Sequence, residues 1–326
     1  MQIQYYTAEM MKAGLDFPGL LSFMEQEHLK APPVMERTFM KPDQPKRSNP
    51  ADHQTYLCWH AWAPEEMIAV KLSAIFPENN SARPPLPSIH AVTTVFCGKT
   101  GVPLALLDAT ELTYWKTAAD SVLGAKKLAR PNSENLLIVG AGLLAPYHIR
   151  AFSDAFPDLK RITVWNRTAS KAEKVFSDPL CENVQDLELQ ATSNLEQAAR
   201  NADIICCITG SEEPLVLGEW VRPGCHLSLT GSYQPQMRET DSALVKKSRL
   251  FVNLRRFTVE QSGDLAIPIA EGVISASSIE ANLYEICQNG LSTPRLESDI
   301  TLYKNAGGAH MDLITARYAL QKLKSS

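Results

Sequence analysis

Apolar positions follow two regimes along the chain. Up to about residue 130, helix and strand signals are mixed. AVTTVFC (91–97) is rich in β-branched residues and reads as a strand; after the turn residues GKTGVP, LALLDAT (104–110) reads as its return. From Glu111 to Arg130, apolar or small positions recur about one turn apart at Ala118, Val122, Ala125 and Leu128, which predicts a helix. Pro32, Pro33, Pro42, Pro45 and Pro50 punctuate an irregular region before these elements, and Pro131-Asn132-Ser133 reads as a linker after them.

Beyond the linker, strand and helix patterns alternate. LLIVGAG (136–142) is a strand entering a glycine turn, and APYHIRAFSDAF is helical. RITVWN, LELQAT, DIICCIT, CHLSLTG and RLFVNL read as strands, with helical stretches at Ser170–Phe176 and in NLEQAARNA. This alternation predicts a parallel sheet with helices on both faces. From Ile300 the chain runs through NAGGAH into the helical MDLITARYALQKLK, which would return to the first domain and make it discontinuous. The expected fold is α/β: a Rossmann-type doubly wound parallel sheet over 131–304, plus an α+β substrate and dimerisation domain from 1–130 and 305–326.

Composition narrows the function classes. A chain of 326 residues, 44% hydrophobic and 21% charged, suits two ordinary globular domains. The net charge is −4 and Lys and Arg are scattered, so no basic stripe points to nucleic acid, although a few placed cations can still bind a small anion. Seven cysteines, an odd number without a C-x-x-C pair, suggest free thiols in a reducing cytoplasm and no metal site. The first residues lack a secretory pattern and no run approaches the roughly 20 apolar residues of a membrane span. A cytoplasmic protein without membrane attachment is expected.

Gly140-x-Gly142-x-x-Ala145 fits G-x-G-x-x-G/A, set between an apolar strand and a helix. Gly140 permits the tight turn, Gly142 lets backbone approach a pyrophosphate at the helix N-terminus, and Ala145 allows close helix–strand packing. The second strand ends at Asn166 where an NAD site usually presents an acid, and Arg167, Thr168, Ser170 and Lys171 follow. Such groups suit a ribose 2′-phosphate, so NADPH (NADP+) is the expected cofactor, with NADH weaker. Thr209 ends a strand where such sheets contact cofactor.

The chain resembles the ornithine cyclodeaminase/mu-crystallin family across nearly its whole length. The resemblance rests on ERTFM (36–40), AVKLSAIFPEN (69–79), LALLDATELTYWKTAADSVLGAKKLAR (104–130), the GAGLLA turn, EWVRPGCHLSLTGSYQPQMRETD (219–241) and ITLYKNAGGAHMDL (300–313). It implies a homodimer, a Rossmann domain, and a substrate domain built from the N-terminal part and the C-terminal helix. The family includes cyclodeaminases, alanine dehydrogenases and ketimine reductases acting on Δ1-pyrroline-2-carboxylate and Δ1-piperideine-2-carboxylate. Its basic substrate-carboxylate ligands map to Arg37, Lys71 and Lys116. Lys71 interrupts the apolar run MIAVKLSAIF, where an unpaired ammonium is costly to bury and an anionic substrate would satisfy it. Lys116 stands where the family commonly has arginine, keeping the charge but losing the bidentate fork.

Two departures bear on the reaction. Cyclodeaminases carry an Asp two residues after the glycine matching Gly231, where this chain has Tyr233, and a Glu on the strand matching YLCWHAWAP, which holds no acid. The reading favoured is therefore reduction of a small anionic cyclic imino acid to L-proline or L-pipecolate. Lys71 is the first candidate proton donor and His60 the second. Gly307 and Gly308 would let backbone approach the ligands, or form a plain turn. Asp312 resembles a family position or is a helix N-terminal charge; Asp264 is a pocket acid or lies in a solvated turn. Ornithine cyclodeamination, an alanine-dehydrogenase-like activity and a mu-crystallin-like binding protein without turnover remain as alternatives.

Overall fold

The computed structural model describes residues 3–40, 54–76, 78–79, 82–84, 86–182, 184 and 187–324; Pro42, Pro45, Pro50 and Pro77 lie outside the described residues. The architecture is α/β, and the chain divides into two compact units. One takes Met1–Asp16, Ala31–Lys116 and Gly308–Ser326, the other Phe17–Lys30 and Thr117–Gly307. Elements are numbered in chain order.

The first unit is built on β1 (Gln4–Tyr6), β2 (Val34–Met40), β3 (Thr55–Ala63), β4 (Met67–Ile75), β5 (Ile89–Cys97) and β6 (Pro103–Asp108). Their order in the sheet is β1-β6-β5-β4-β3-β2, antiparallel except for β1 with β6. Helix α1 (Ala8–Gly14) packs on α11 (Ala309–Lys324), and α11 lies over β2 to β5. One sheet face buries Ala61, Ala69, Val95 and Ala105, small residues that let α11 approach closely. The other carries half-buried Val70, Leu72, Val92 and Leu106. Both faces of β4 are therefore largely apolar, which is why the sequence shows an apolar run interrupted only by Lys71 and Ser73.

The second unit carries α2 (Phe17–His28) and the later part of α3 (Ala109–Leu128). Its strands are β7 (Asn135–Val139), β8 (Arg161–Trp165), β9 (Glu188–Thr192), β10 (Ile204–Cys207), β11 (His226–Leu229), β12 (Arg249–Val252), β13 (Ile279–Asn282) and β14 (Thr301–Lys304). All pair in parallel, in the order β13-β12-β14-β11-β10-β7-β8-β9. Its helices are α4 (Ala145–Ala155), α5 (Ala169–Val175), α6 (Leu195–Asn201), α7 (Ser242–Lys247), the kinked turn α8 (Arg255–Thr258), α9 (Gly263–Ala270) and α10 (Leu283–Asn289). Leu137, Val139, Ile205, Leu227, Leu229 and Leu302 form the centre of its core. The order in which successive strands are added to the sheet reverses between β7 and β10, the switch point where doubly wound sheets open a ligand crevice at the strands' carboxyl ends.

The structure changes the expected boundaries. Pro131-Asn132-Ser133 is a turn inside the second unit, where the buried Ser133 hydroxyl donates to Arg130 O; the division falls within α3, after Lys116. The reason is packing: Gly124 lies against the Tyr303 ring, and Thr301 Oγ1 donates to Leu128 O. Helix α2 joins this unit through α4 and α10. The sequence reading did not single out β13 and β14: IEAN and TLYK are four residues long and each includes a charged side chain, so neither stands out as an apolar run. No helix among the described residues is long and apolar enough to cross a membrane.

Candidate functional site

In the first unit, cross-strand register assembles a row of polar and aromatic side chains. Arg37 on β2 pairs with Trp59 on β3, Trp59 with Lys71 on β4, and Lys71 with Thr93 on β5. Directly opposed residues share a sheet face, so Arg37 and Lys71 project to the same side, two strands or roughly 10 Å apart. The Arg37 guanidinium lies 4.5 Å from the Phe39 ring centroid and 5.2 Å from that of Trp59. Thr93 is fully buried and its hydroxyl has no partner among the described residues.

Helices α3 and α11 complete the cluster. Lys116 Nζ stands 2.6 Å from Asp312 Oδ1, and Lys71 Nζ 3.7 Å from the same oxygen. Lys71 also donates to Thr113 Oγ1 at 2.6 Å, and that hydroxyl donates to Ala109 O, which fixes the direction of the ammonium. Burial pulls Lys71 down to about 8; Asp312 opposes this and Lys116 reinforces it. Two ammonium groups sharing one carboxylate leave the cluster net positive, with Arg37 adding charge on the same face. Such a site suits an anion carrying a group that can accept a proton.

In the second unit the glycine turn follows β7. Gly140 has φ +119°, and Gly142 has no atom within 4 Å of where a Cβ would stand. Ala145 is fully buried at the start of α4, and no side chain caps that helix. An open backbone turn below an uncapped N-terminus fits a pyrophosphate. After β8, Asn166 Nδ2 donates to Thr168 O, while Arg167, Thr168 and Lys171 are exposed. Thr168 begins α5 without a side-chain capping bond. Asn166 to Lys171 thus offer cations, amide and hydroxyl groups but no acid. Thr209 follows β10, but its hydroxyl is turned to the buried Glu239 at 3.0 Å.

A model of the ornithine cyclodeaminase/mu-crystallin family matches residues 43–326. The chain belongs to this family. It is 40% identical over 266 residues to a Δ1-pyrroline-2-carboxylate reductase of Paracoccus denitrificans, covering 81% of this chain and 82% of that protein. A reductase of the same name from Colwellia psychrerythraea is 32% identical over 97% of this chain and 98% of its own. The structure of the Thermococcus litoralis Δ1-pyrroline-2-carboxylate reductase in complex with NADH and L-proline superposes with a TM-score of 0.88 at 28% identity, covering 99% of this chain and 98% of that one.

Against this family background, the structure brings Lys71 and Lys116 together and puts Arg37 on their face. His60 does not join them: it pairs with Val70 on the opposite face of the sheet, 3.3 Å from Thr38 Oγ1. Period-two alternation forces this once Trp59 is on the Lys71 side. Gly308 belongs to the first unit and Gly307 to the second; both have positive φ. Asp312, weighed only as a helix charge or family position, is the buried partner of both lysines. Thr113 and Thr93 were missed; only the strand register and the four-residue helical spacing to Ala109 reveal them. Asp264 is no solvated turn residue: it is fully buried and pairs with Lys304 at 3.1 Å.

Proposed function

We propose that the protein reduces Δ1-pyrroline-2-carboxylate, and its six-membered homologue Δ1-piperideine-2-carboxylate, to L-proline and L-pipecolate with NADPH. The observation that carries this reading is the buried, net-positive Lys71–Lys116–Asp312 cluster facing the same way as Arg37. A cyclic imino acid brings one carboxylate, which the three cations can hold, and one imine nitrogen, which must be protonated before its carbon accepts hydride readily. Lys71, with its proton loosely held, is placed to supply that proton and to recover it from solvent. Trp59, between Arg37 and Lys71 in the row, offers an aromatic wall for the ring. A bound reduced nicotinamide would supply the hydride. The chain's own contribution is then orientation and charge.

Relatives named Δ1-pyrroline-2-carboxylate reductase, and the proline bound in the Thermococcus litoralis structure, support the substrate class. Tyr233, 62% exposed, stands where a cyclodeaminase has its aspartate, and supports reduction over deamination. Arg167, Thr168 and Lys171 support NADPH, although the Thermococcus litoralis structure holds NADH. The half-buried apolar face of the first sheet supports a homodimer, which size-exclusion chromatography with light scattering would test.

The deciding experiment follows NADPH absorbance with a panel of cyclic imino acids, and ammonia release with ornithine. Rapid oxidation with the imines and little ammonia is expected. Ammonia and proline from ornithine at constant NADPH would overturn the assignment in favour of cyclodeamination.

A further inference from the structure

The mechanism above leaves unused a fully buried ionic cluster at the carboxyl ends of β10, β11 and β14. Glu239 Oε1 accepts from both the backbone N–H of Thr209 at 2.7 Å and its hydroxyl at 3.0 Å. Glu239 Oε2 accepts from Gly231 N at 2.7 Å. Its own N–H donates to Asp264 Oδ1 at 2.7 Å, and Asp264 Oδ2 lies 3.1 Å from Lys304 Nζ. Glu239, Asp264 and Lys304 are all 0% exposed.

This cluster holds backbone in place where a dinucleotide would lie. Gly231 is pressed so closely on Thr209 that a Cβ there would stand 1.8 Å from Thr209 O. A Cβ on Gly140 would meet Ile208 and Thr209 at 3.1 Å. Thr209 therefore borders the glycine turn, and one carboxylate sets its main chain and its hydroxyl. A hydroxyl that gives its only hydrogen to a carboxylate has just lone pairs left for a ligand.

We propose that Glu239 is a positioning residue of the dinucleotide site, which fixes Thr209 as an acceptor-only contact for a hydrogen-bond donor of the nicotinamide nucleoside, its carboxamide or a ribose hydroxyl. The inference rests on the dinucleotide reading of this unit. It requires Glu239 to be ionised, since a protonated carboxyl loses acceptor capacity and leaves one of its three donors unmet. Burial pushes Glu239 up to about 7; Lys304 lowers it, Asp264 raises it, and the N–H groups of Thr209 and Gly231 lower it. Cys206 and Cys207 of β10 also face it, as thiols that burial keeps neutral. Cofactor binding should therefore weaken as pH falls through about 7.

The test is titration of the full chain with NADPH and with NADH, read by cofactor fluorescence from pH 6 to 9, with circular dichroism to confirm folding. Wild type should lose affinity toward the acid end. Glu239→Gln should bind both cofactors about tenfold more weakly at high pH, with the acid limb gone. Thr209→Val keeps the backbone bond and the buried charge and loses only the hydroxyl; it should weaken both cofactors by a similar factor. A folded Thr209→Val that binds like wild type overturns the inference. So does a wild-type affinity that is flat across this range. Wild type binding neither cofactor at any pH would instead overturn the dinucleotide reading, and this inference with it.

Discussion

Lys116 and Asp312 form a buried ion pair, with 2.6 Å between Nζ and Oδ1 and side chains only 7% and 3% exposed. Lys116 sits on α3 and Asp312 in the first turn of α11, so an interaction between residues 196 positions apart anchors the C-terminal helix at the cationic cluster. Asp312 is thereby more than a counter-ion. By neutralising one of two neighbouring ammonium groups it lets Lys71 keep a proton in a site whose burial opposes it.

That arrangement gives a pH test with opposite signs. Lys71 can donate a proton below about 8 and cannot above it, so kcat/KM should fall as pH rises through that value. Asp312→Asn removes the charge that favours the ammonium and should move the fall about one pH unit lower. Lys116→Met removes a repelling cation and should move it about one unit higher, while raising KM through the loss of a carboxylate ligand. Shifts of equal sign in the pH–rate profiles would exclude Lys71 as the titrating group.

Lys71 and His60 should separate cleanly by mutation. Lys71→Met strands no buried charge, because Asp312 keeps Lys116, so its melting temperature should stay within a few degrees of wild type. Its single-turnover rate should drop by at least about 100-fold. His60→Ala, changed on the opposite face of the sheet, should react within about twofold of wild type. Near-normal turnover by a well-folded Lys71→Met would rule out both the proton donor and the carboxylate ligand assigned to that residue.

How much of this was legible depends on the kind of signal. The glycine turn is local, so Gly140, Gly142 and Ala145 could be read directly from a strand, two glycines and a helix. Lys71 was visible because a lysine breaking an apolar run asks for a partner. Its partner was not, since Asp312 lies far away in sequence and looks like any acid at a helix start. His60 was misjudged for a related reason: without the register, nothing told which of Trp59 and His60 shares a face with Lys71. Glu239 and Lys304 were opaque, and Asp264 was visible only as a pocket acid or a turn residue, until a loop, the end of β14 and the start of α9 bring the three together. Strands β13 and β14 were overlooked because each is four residues long with a charged side chain in it, so neither forms a visible apolar run.

Cofactor preference tests the exposed end of β8. Arg167, Thr168 and Lys171 are solvent-facing, so their bonds to a 2′-phosphate would be partly screened. Arg167→Ala should therefore weaken NADPH by about 1–2 kcal/mol, roughly tenfold, at the lower end of the range for charged hydrogen bonds. NADH, which lacks the phosphate, should change by less than about twofold. Equal weakening of both cofactors in binding titrations would show that Arg167 does not read the phosphate.

The second unit also offers a stability test independent of any ligand. Asp203 accepts from the backbone N–H groups of Glu134 and Asn135, both at 3.0 Å, and from Asn135 Nδ2 at 3.2 Å. Arg130 and Arg222 each place an amino nitrogen 2.5 Å from its other oxygen. One carboxylate thus ties the end of α3 and the loop before β11 to the first residue of β7. Burial alone would raise its pKa, but the N–H groups and Arg222 outweigh that and lower it. A carboxylate with a depressed folded pKa stabilises above its unfolded value, about 3.9, and that contribution is lost as pH falls through the folded value. Asp203→Asn replaces an acceptor-only group with one that meets five donors poorly, and should cost about 2–4 kcal/mol at pH 7. Once the pH is taken below the folded value the wild-type carboxyl is itself protonated, so the gap between the two proteins should narrow in acid. Thermal melts at pH 7 and in acid decide the point: a loss equally large in acid would mean that side-chain shape, rather than the charge on Asp203, holds the start of β7.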